Sequence, residues 1–192
     1  MTVGPPVNGR RPAIFLDRDG VIIENRDDYI KSWAEVEILP GALAALAALK
    51  TTRFAVVIVT NQSAVNRDFM SLGSLHDIHQ RLQTAVEEAG GQIHAIYFCP
   101  HRPNEGCDCR KPQPGMLLQA AAALDLDLGR SFLVGDAITD LEAALAAGVQ
   151  PVLVRTGRGR AHAALLDTQT HTICPVVDDL RAAISWILAR SA

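Results

Sequence analysis

Three short apolar runs in this chain end abruptly in oxygen-bearing side chains. Ala13-Ile14-Phe15-Leu16 gives way to Asp17-Arg18-Asp19-Gly20, the run 55–60 closes on Thr60 and continues as Asn61-Gln62-Ser63, and the run 132–135 opens into Asp136-Ala137-Ile138-Thr139-Asp140. Acids gathered at one place repel each other unless a cation shares the site. An oxygen-only donor set calls for a hard divalent ion, and magnesium fits best because it binds through one or two carboxylates together with a substrate phosphate. With Thr60 and Lys111 available to stabilise charge on transferring oxygens, the set suits phosphoryl transfer. Asp17 is the expected nucleophile, since an aspartyl-phosphate divides one difficult hydrolysis into two easier displacements. Asp19, two residues on, is the expected general acid and base, protonating the leaving oxygen and then deprotonating the water that opens the intermediate.

A second constellation is made of sulfur and nitrogen. Cys99, His101, Cys107 and Cys109 read C-x-H-x5-C-x-C, and three thiolates with one imidazole complete a tetrahedral zinc set with no open position, which makes the metal structural. A redox pair is a poorer reading, because C-x-C lacks the C-x-x-C spacing. The fourth cysteine, Cys174, sits in an apolar segment as a small buried hydrophobe.

The elements that must position these residues follow from periodicity. Short apolar strands are predicted at 13–16, 55–60, 93–98, 132–135 and 152–154, and helical spacing at 41–50, 71–89, 114–124 and 139–147. An apolar segment at 172–177 and a last helix at 179–189 extend the series. Alternation of strand and helix predicts an α/β, doubly wound, mostly parallel sheet, with its ligand crevice outside the carboxyl ends of the strands. Residues 1–192 read as one domain, with a flexible leader at 1–12 and a zinc loop at 99–109. The 192 residues are 48% apolar, enough for a core, and 18 basic against 21 acidic side chains give a net charge of −3. That balance argues against a phosphate-tracking nucleic-acid surface. The longest apolar run, 42–49, is far short of the roughly 18 residues of a membrane span, and the N-terminus lacks a secretory h-region. The expected setting is a cytoplasmic monomer acting on a small phosphorylated substrate, with no nucleic-acid or membrane partner.

These residues resemble the haloacid dehalogenase superfamily of phosphatases. Its DxD motif appears as Phe15-Leu16-Asp17-Arg18-Asp19-Gly20, its threonine as Thr60, its lysine as Lys111 and its GDxxxD motif at 135–140, so the match runs from 13 to about 159. The resemblance implies a Rossmann-like sheet with no large cap domain. It also implies Mg²⁺ on the Asp17 carboxylate, the Asp19 backbone carbonyl and Asp136, with Asp140 in support. The string 99–112 is similar to the zinc-loop subfamily whose branches act on heptose 1,7-bisphosphate or on histidinol phosphate. There the zinc loop shapes the pocket and Arg110 contacts substrate; Asn61 and Arg67 are added here as further substrate contacts. The heptose branch carries TNQSG-x-x-RG, and this chain puts Ala64 and Asp68 at its two glycines, of which Asp68 tolerates a positive φ better. The short zinc loop resembles the histidinol-phosphate branch and some short-loop heptose enzymes, whereas Val154-Arg155-Thr156-Gly157 followed by Arg158-Gly159 resembles the heptose branch, which is the expected one. A receiver-like phosphoacceptor domain and a zinc-stabilised nucleic-acid module are the alternatives from other classes; the zinc motif fits the first poorly and the net acidity disfavours the second.

Other signals are weaker. His76 and His79 lie three apart on a predicted helix without partner acids, and read as packing or solvated residues. Ser63 lacks the G-x-S-x-G elbow, and Gly157-Arg158-Gly159 lacks the third glycine of a dinucleotide fingerprint. Arg155, Arg158 and Arg160 read as a solvated basic turn or as a rim that attracts an anion. Tyr29 and Trp33 flank the crevice or join the core.

Overall fold

All four residues of Ala13–Leu16 are buried, a pattern that needs a strand covered on both faces. The computed structural model describes residues 9–167 and 172–191. Its strands are β1 (Ala13–Leu16), β2 (Ala55–Asn61), β3 (Ala95–Cys99), β4 (Phe132–Gly135), β5 (Gln150–Val154) and β6 (Val176–Val177). They form one parallel sheet in the order β3-β2-β1-β4-β5-β6. The helices are α1 (Ala42–Leu49), α2 (Leu72–Glu88), α3 (Gly115–Leu124), α4 (Ile138–Ala146), α5 (Gly159–Ala163) and α6 (Leu180–Ser191).

The two-residue period of the strands sorts the core into two layers. Ile14, Leu16, Val56, Ile58 and Val134 face α1, α2 and α6, while Phe15, Val57, Val59 and Leu133 face α3 and α4. Helix α2 shows why this sequence supplies such a layer. Ser71 caps it by accepting the Ser74 amide at 3.0 Å, and Leu75, Ile78, Leu82 and Val86 recur at helical spacing on its buried face.

Strand order reverses at β1, with β2 on one side and β4 on the other. A crevice opens at the carboxyl ends there because the connections leave in opposite directions. Leu16 registers with Val134, and the Asp17 amide donates to the Val134 carbonyl at 3.0 Å. The β1 and β4 acids are therefore neighbours.

Some boundaries depart from expectation. Strand β3 begins at Ala95 because its ladder with β2 starts at the Val57 pairing, and Ile93 is already buried in the core. The segment 172–177 yields only the two-residue β6, since Pro175 in front of it has no amide to donate. The turn at Gly157-Arg158-Gly159 opens α5, a helix the sequence reading lacks. Most of the expected leader, residues 1–8, lies outside the described residues; Arg11 bridges to Leu126. Among the described residues no helix is long and apolar enough to cross a membrane.

Candidate active site

Asp17 leaves β1 with its carboxylate beside Lys111. The Lys111 ammonium lies 3.0 Å from Asp17 Oδ1 and 2.6 Å from Asp140 Oδ1, and donates to the Val59 carbonyl at 2.7 Å. Lys111 is almost wholly buried. Burial acts to lower its pKa, but Asp140 and Asp17 outweigh that and hold it above the ordinary lysine range. Asp140 also caps the start of α4, accepting the Ala137 amide at 3.0 Å.

Asp136 follows β4 and is packed by backbone. Gly20 and Gly157 both have positive φ, and a Cβ on either would fall 2.1 or 2.3 Å from Asp136 Oδ2. Only glycine lets two loops close on one carboxylate in this way. The Arg158 amide donates to the same oxygen at 2.8 Å. Oxygens of Asp17, Asp136 and Asp140 lie within 4.8 Å of one another. Burial pushes Asp17 up to about 6, with Lys111 pulling it back and Asp140 and Asp19 adding repulsion. Burial, then Asp17 and Asp140, push Asp136 up to about 8. Oxygen-only donors whose negative charge is unwelcome without a cation fit Mg²⁺. Lys111 is shared by Asp140 and Asp17, while Asp136 has no such counter-charge in contact with it among the described residues.

Asp19 lines the cavity, and its carboxylate is held by buried partners. Its Oδ2 accepts from Arg18 Nε at 3.1 Å, Gln62 Nε2 at 2.8 Å and Thr60 Oγ1 at 3.4 Å, and its Oδ1 from Arg18 Nη2 at 3.1 Å. Asn61, expected at the substrate, lines the cavity and also pairs with the backbone of Lys111, giving its amide N–H to that carbonyl at 3.0 Å and accepting the Lys111 amide at 3.1 Å. It therefore splints the lysine to the end of β2. Arg18, Gln62 and His79 are buried polar residues for which the sequence reading has no role. Of the packing and solvated readings of His79, the structure shows burial on α2, and no local pattern reveals that its ring meets Arg18. Burial first, and Arg18 second, hold His79 down near a pKa of about 3, so the ring is neutral.

Asp17, Asp19, Thr60, Lys111, Asp136 and Asp140 floor a cavity of about 560 Å³. Its walls include Arg26 and Tyr29 from the loop after β1, Arg102 and Cys107 from the 99–109 loop with Arg110 just beyond it, and Arg158 and His162 from the cap and last turn of α5. Arg158 thus belongs to the rim, while Arg155 pairs with Asp178 at 3.5 Å and Arg160 is exposed. Arg67 is exposed and is not among the cavity-lining residues. Asp68 adopts a positive φ of 60° and Ala64 does not, as their side chains allow. Tyr29 both lines the cavity and packs on Phe69, with Trp33 against the core. Cys174 is buried.

The sulfur cluster fits zinc. His101 Nδ1 is 3.4 Å from the sulfurs of Cys99 and Cys109, and Cys107 Sγ is 3.6 and 3.5 Å from them. Zinc bond lengths in a regular tetrahedron imply edges of about 3.8 Å between sulfurs and about 3.6 Å from sulfur to nitrogen. Burial pushes the Cys99 thiol above the ordinary range, so its thiolate requires a cation. Bonds to its neighbours hold this loop: Arg110 donates to the His101 carbonyl at 2.9 Å, Arg102 Nε to the Asn66 carbonyl at 2.6 Å, and Asn66 Nδ2 to Glu105 Oε2 at 2.8 Å.

A doubly wound sheet with an acid pair, a buried lysine and a second acid at its switch point defines a phosphoryl-transfer hydrolase of the α/β class. The chain belongs to the haloacid dehalogenase superfamily of phosphatases. A HAD-hydrolase-like family model matches residues 108–183. D-glycero-beta-D-manno-heptose-1,7-bisphosphate 7-phosphatase of Pseudomonas aeruginosa is 47% identical over 149 residues, covering 78% of this chain and 84% of the relative. The protein of that name from Pseudomonas putida is 48% identical over 146 residues, covering 76% and 83%. The crystal structure of D,D-heptose 1,7-bisphosphate phosphatase from Bordetella bronchiseptica, complexed with magnesium and phosphate, superposes with a TM-score of 0.87 at 40% identity, covering 94% of this chain and 99% of that one.

Proposed function

We propose that this protein is a Mg²⁺-dependent phosphomonoesterase that removes the 7-phosphate of D-glycero-D-manno-heptose 1,7-bisphosphate. The observation that carries the reading is the Lys111 ammonium joined to Asp17 at the floor of a cavity shared with Asp136. Relatives named for that activity, and four arginines (Arg26, Arg102, Arg110 and Arg158) lining the cavity of a substrate with two phosphates, support the choice of ester. Four free thiols suit a reducing, cytoplasmic setting.

In this reading an Asp17 oxygen attacks phosphorus as the bond to O7 breaks, and Asp19, which lines the cavity while held by Arg18 and Gln62, gives a proton to O7. Water then attacks the aspartyl-phosphate, Asp19 takes a proton from it, and the Asp17–phosphorus bond breaks to release inorganic phosphate. Lys111 keeps Asp17 ionised and aimed, while Thr60 and backbone amides meet the phosphoryl oxygens. Asp17, the Asp19 carbonyl and Asp136 would hold Mg²⁺, which when bound offsets charge on the transferring group. Cys99, His101, Cys107 and Cys109 would hold Zn²⁺, shaping the wall that carries Arg102 and Arg110.

The test is phosphate release from heptose 1,7-bisphosphate and histidinol phosphate in Mg²⁺, with Asp17→Asn alongside. The expected result is a higher kcat/KM for the bisphosphate and no turnover by the variant. Preference for histidinol phosphate would overturn the substrate, and turnover by Asp17→Asn would overturn the nucleophile.

A further inference from the structure

Arg18 is 1% exposed and lies under the cavity floor. A buried guanidinium must spend its donors on protein groups, because an unmet charged donor is costly away from water. Nε and Nη2 each reach one oxygen of Asp19 at 3.1 Å, Nη2 also gives to Gln62 Oε1 at 2.9 Å, and Nη1 lies 3.1 Å from His79 Nε2. Arginine only donates, so His79 Nε2 is the acceptor and its ring carries the single proton on Nδ1. The Gln62 amide is fixed in the same way: its oxygen accepts from Arg18 while its nitrogen gives to Asp19 Oδ2 and to Thr60 Oγ1, both at 2.8 Å.

We propose that His79, acting through Arg18, is a positioning residue for Asp19 in proton transfer, with Gln62 as the second arm of the same clamp. The inference rests on the phosphatase reading above. A bidentate ion pair puts carboxylate and guanidinium in one plane. Whatever sets the tilt of the Arg18 plane therefore sets where the Asp19 oxygens stand relative to O7 and the attacking water. An Arg18–Asp19 pair alone leaves that tilt free about the line joining them; acceptors on separate nitrogens, His79 of α2 on Nη1 and Gln62, just after β2, on Nη2, remove the freedom. His79 is itself held, with its ring 5.8 Å from Phe98 and its helix anchored by Leu75, Ile78 and Leu82 in the core. Helix α2 contributes no residue to the cavity lining and acts on the site through this one nitrogen.

Loss of the clamp should harm proton transfer and spare substrate binding. The His79→Leu variant is expected to lose about tenfold or more in kcat on heptose 1,7-bisphosphate, with KM within about twofold. p-Nitrophenyl phosphate separates the two steps, because p-nitrophenolate leaves without needing a proton. His79→Leu should release about one equivalent of it in a burst and then turn over slowly, as the aspartyl-phosphate waits for a misplaced base. His79→Gln, whose amide oxygen can accept from Arg18, should recover kcat to within about threefold of wild type. Gln62→Met should show the same kcat loss and burst without touching α2, and decides the matter if His79→Leu does not fold. Unchanged kcat, a loss carried by KM, absence of the burst, or a His79→Gln no better than His79→Leu would each overturn the inference while leaving the phosphatase reading in place. Wild-type protein that turns over no phosphate ester would bring down both.

Discussion

The ammonium of Lys111 stands 3.0 Å from Asp17 Oδ1, although one residue follows β1 and the other follows β3, with β2 between those strands. The contact joins the end of β1 to the segment that leads from the sulfur cluster into α3. It also gives the buried Asp17 and Asp140 carboxylates a shared counter-charge.

Removing that charge leaves two acids without their cation. Lys111→Met is expected to destabilise the protein by about 3–5 kcal/mol, as breaking a buried ion pair does. Phosphate release should fall by about a hundredfold or more, the scale seen when a donor to the reacting group is lost. Urea unfolding and a phosphate assay check both figures, and a variant of wild-type stability would contradict the first.

The raised acids give stability a pH dependence of definite sign. Asp17 at about 6 and Asp136 at about 8 keep protons in the folded protein that the unfolded chain, with carboxylates near 3.8, has released. The folded state thus binds more protons across this window, and their contribution is present below the unfolded value and lost as pH rises through about 6 and about 8. Without divalent cation the thermal midpoint should fall from about pH 5 to about pH 8.5, and Mg²⁺ should stabilise more at the upper end, where the carboxylates are ionised. Thermal scans in EDTA and in Mg²⁺ at each pH measure this; a metal-free midpoint that climbs over the range would refute it.

Gly20→Ala places a methyl group 2.1 Å from Asp136 Oδ2 on a residue with φ of 83°. Asp136 must move, so the Mg²⁺ concentration for half-maximal activity should rise by about tenfold or more, and the strained φ should cost about 1–2 kcal/mol of stability. A Mg²⁺ titration of phosphate release reads the first effect. An unaltered titration would show that Asp136 does not hold the ion.

The sulfur cluster should carry about one zinc per chain by elemental analysis. Cys99→Ser, at the buried corner of the set, should lose that zinc, lower the thermal midpoint and reduce activity by loosening the wall that bears Arg102 and Arg110. The residual activity should still require Mg²⁺. Full stability and activity in a zinc-free preparation would exclude the structural role.

Much of this architecture is legible in the order of residues alone. A strand repeats every two residues and a helix every 3.6, so apolar runs and amphipathic stretches mark themselves, and β1 and β4 fall where periodicity predicts them. Because parallel strands present their carboxyl ends to one side, Asp17, Thr60 and Asp136 are readable as one group before any coordinate is known. The C-x-H-x5-C-x-C spacing is equally local. What the chain order leaves open is the direction each polar side chain takes. Asn61 reads as a substrate contact and does line the cavity, but its pairing with the Lys111 backbone fifty positions away has no local signal. His79 reads as an ordinary helix residue, yet it meets Arg18 across 61 positions, and Gln62 meets the same guanidinium across 44. Covalent neighbours and periodicity decide which element a residue joins and which face it lies on. Only the packing of α2 and the 99–109 loop against the sheet decides which buried donor finds which acceptor, because those contacts depend on distances that no local spacing encodes.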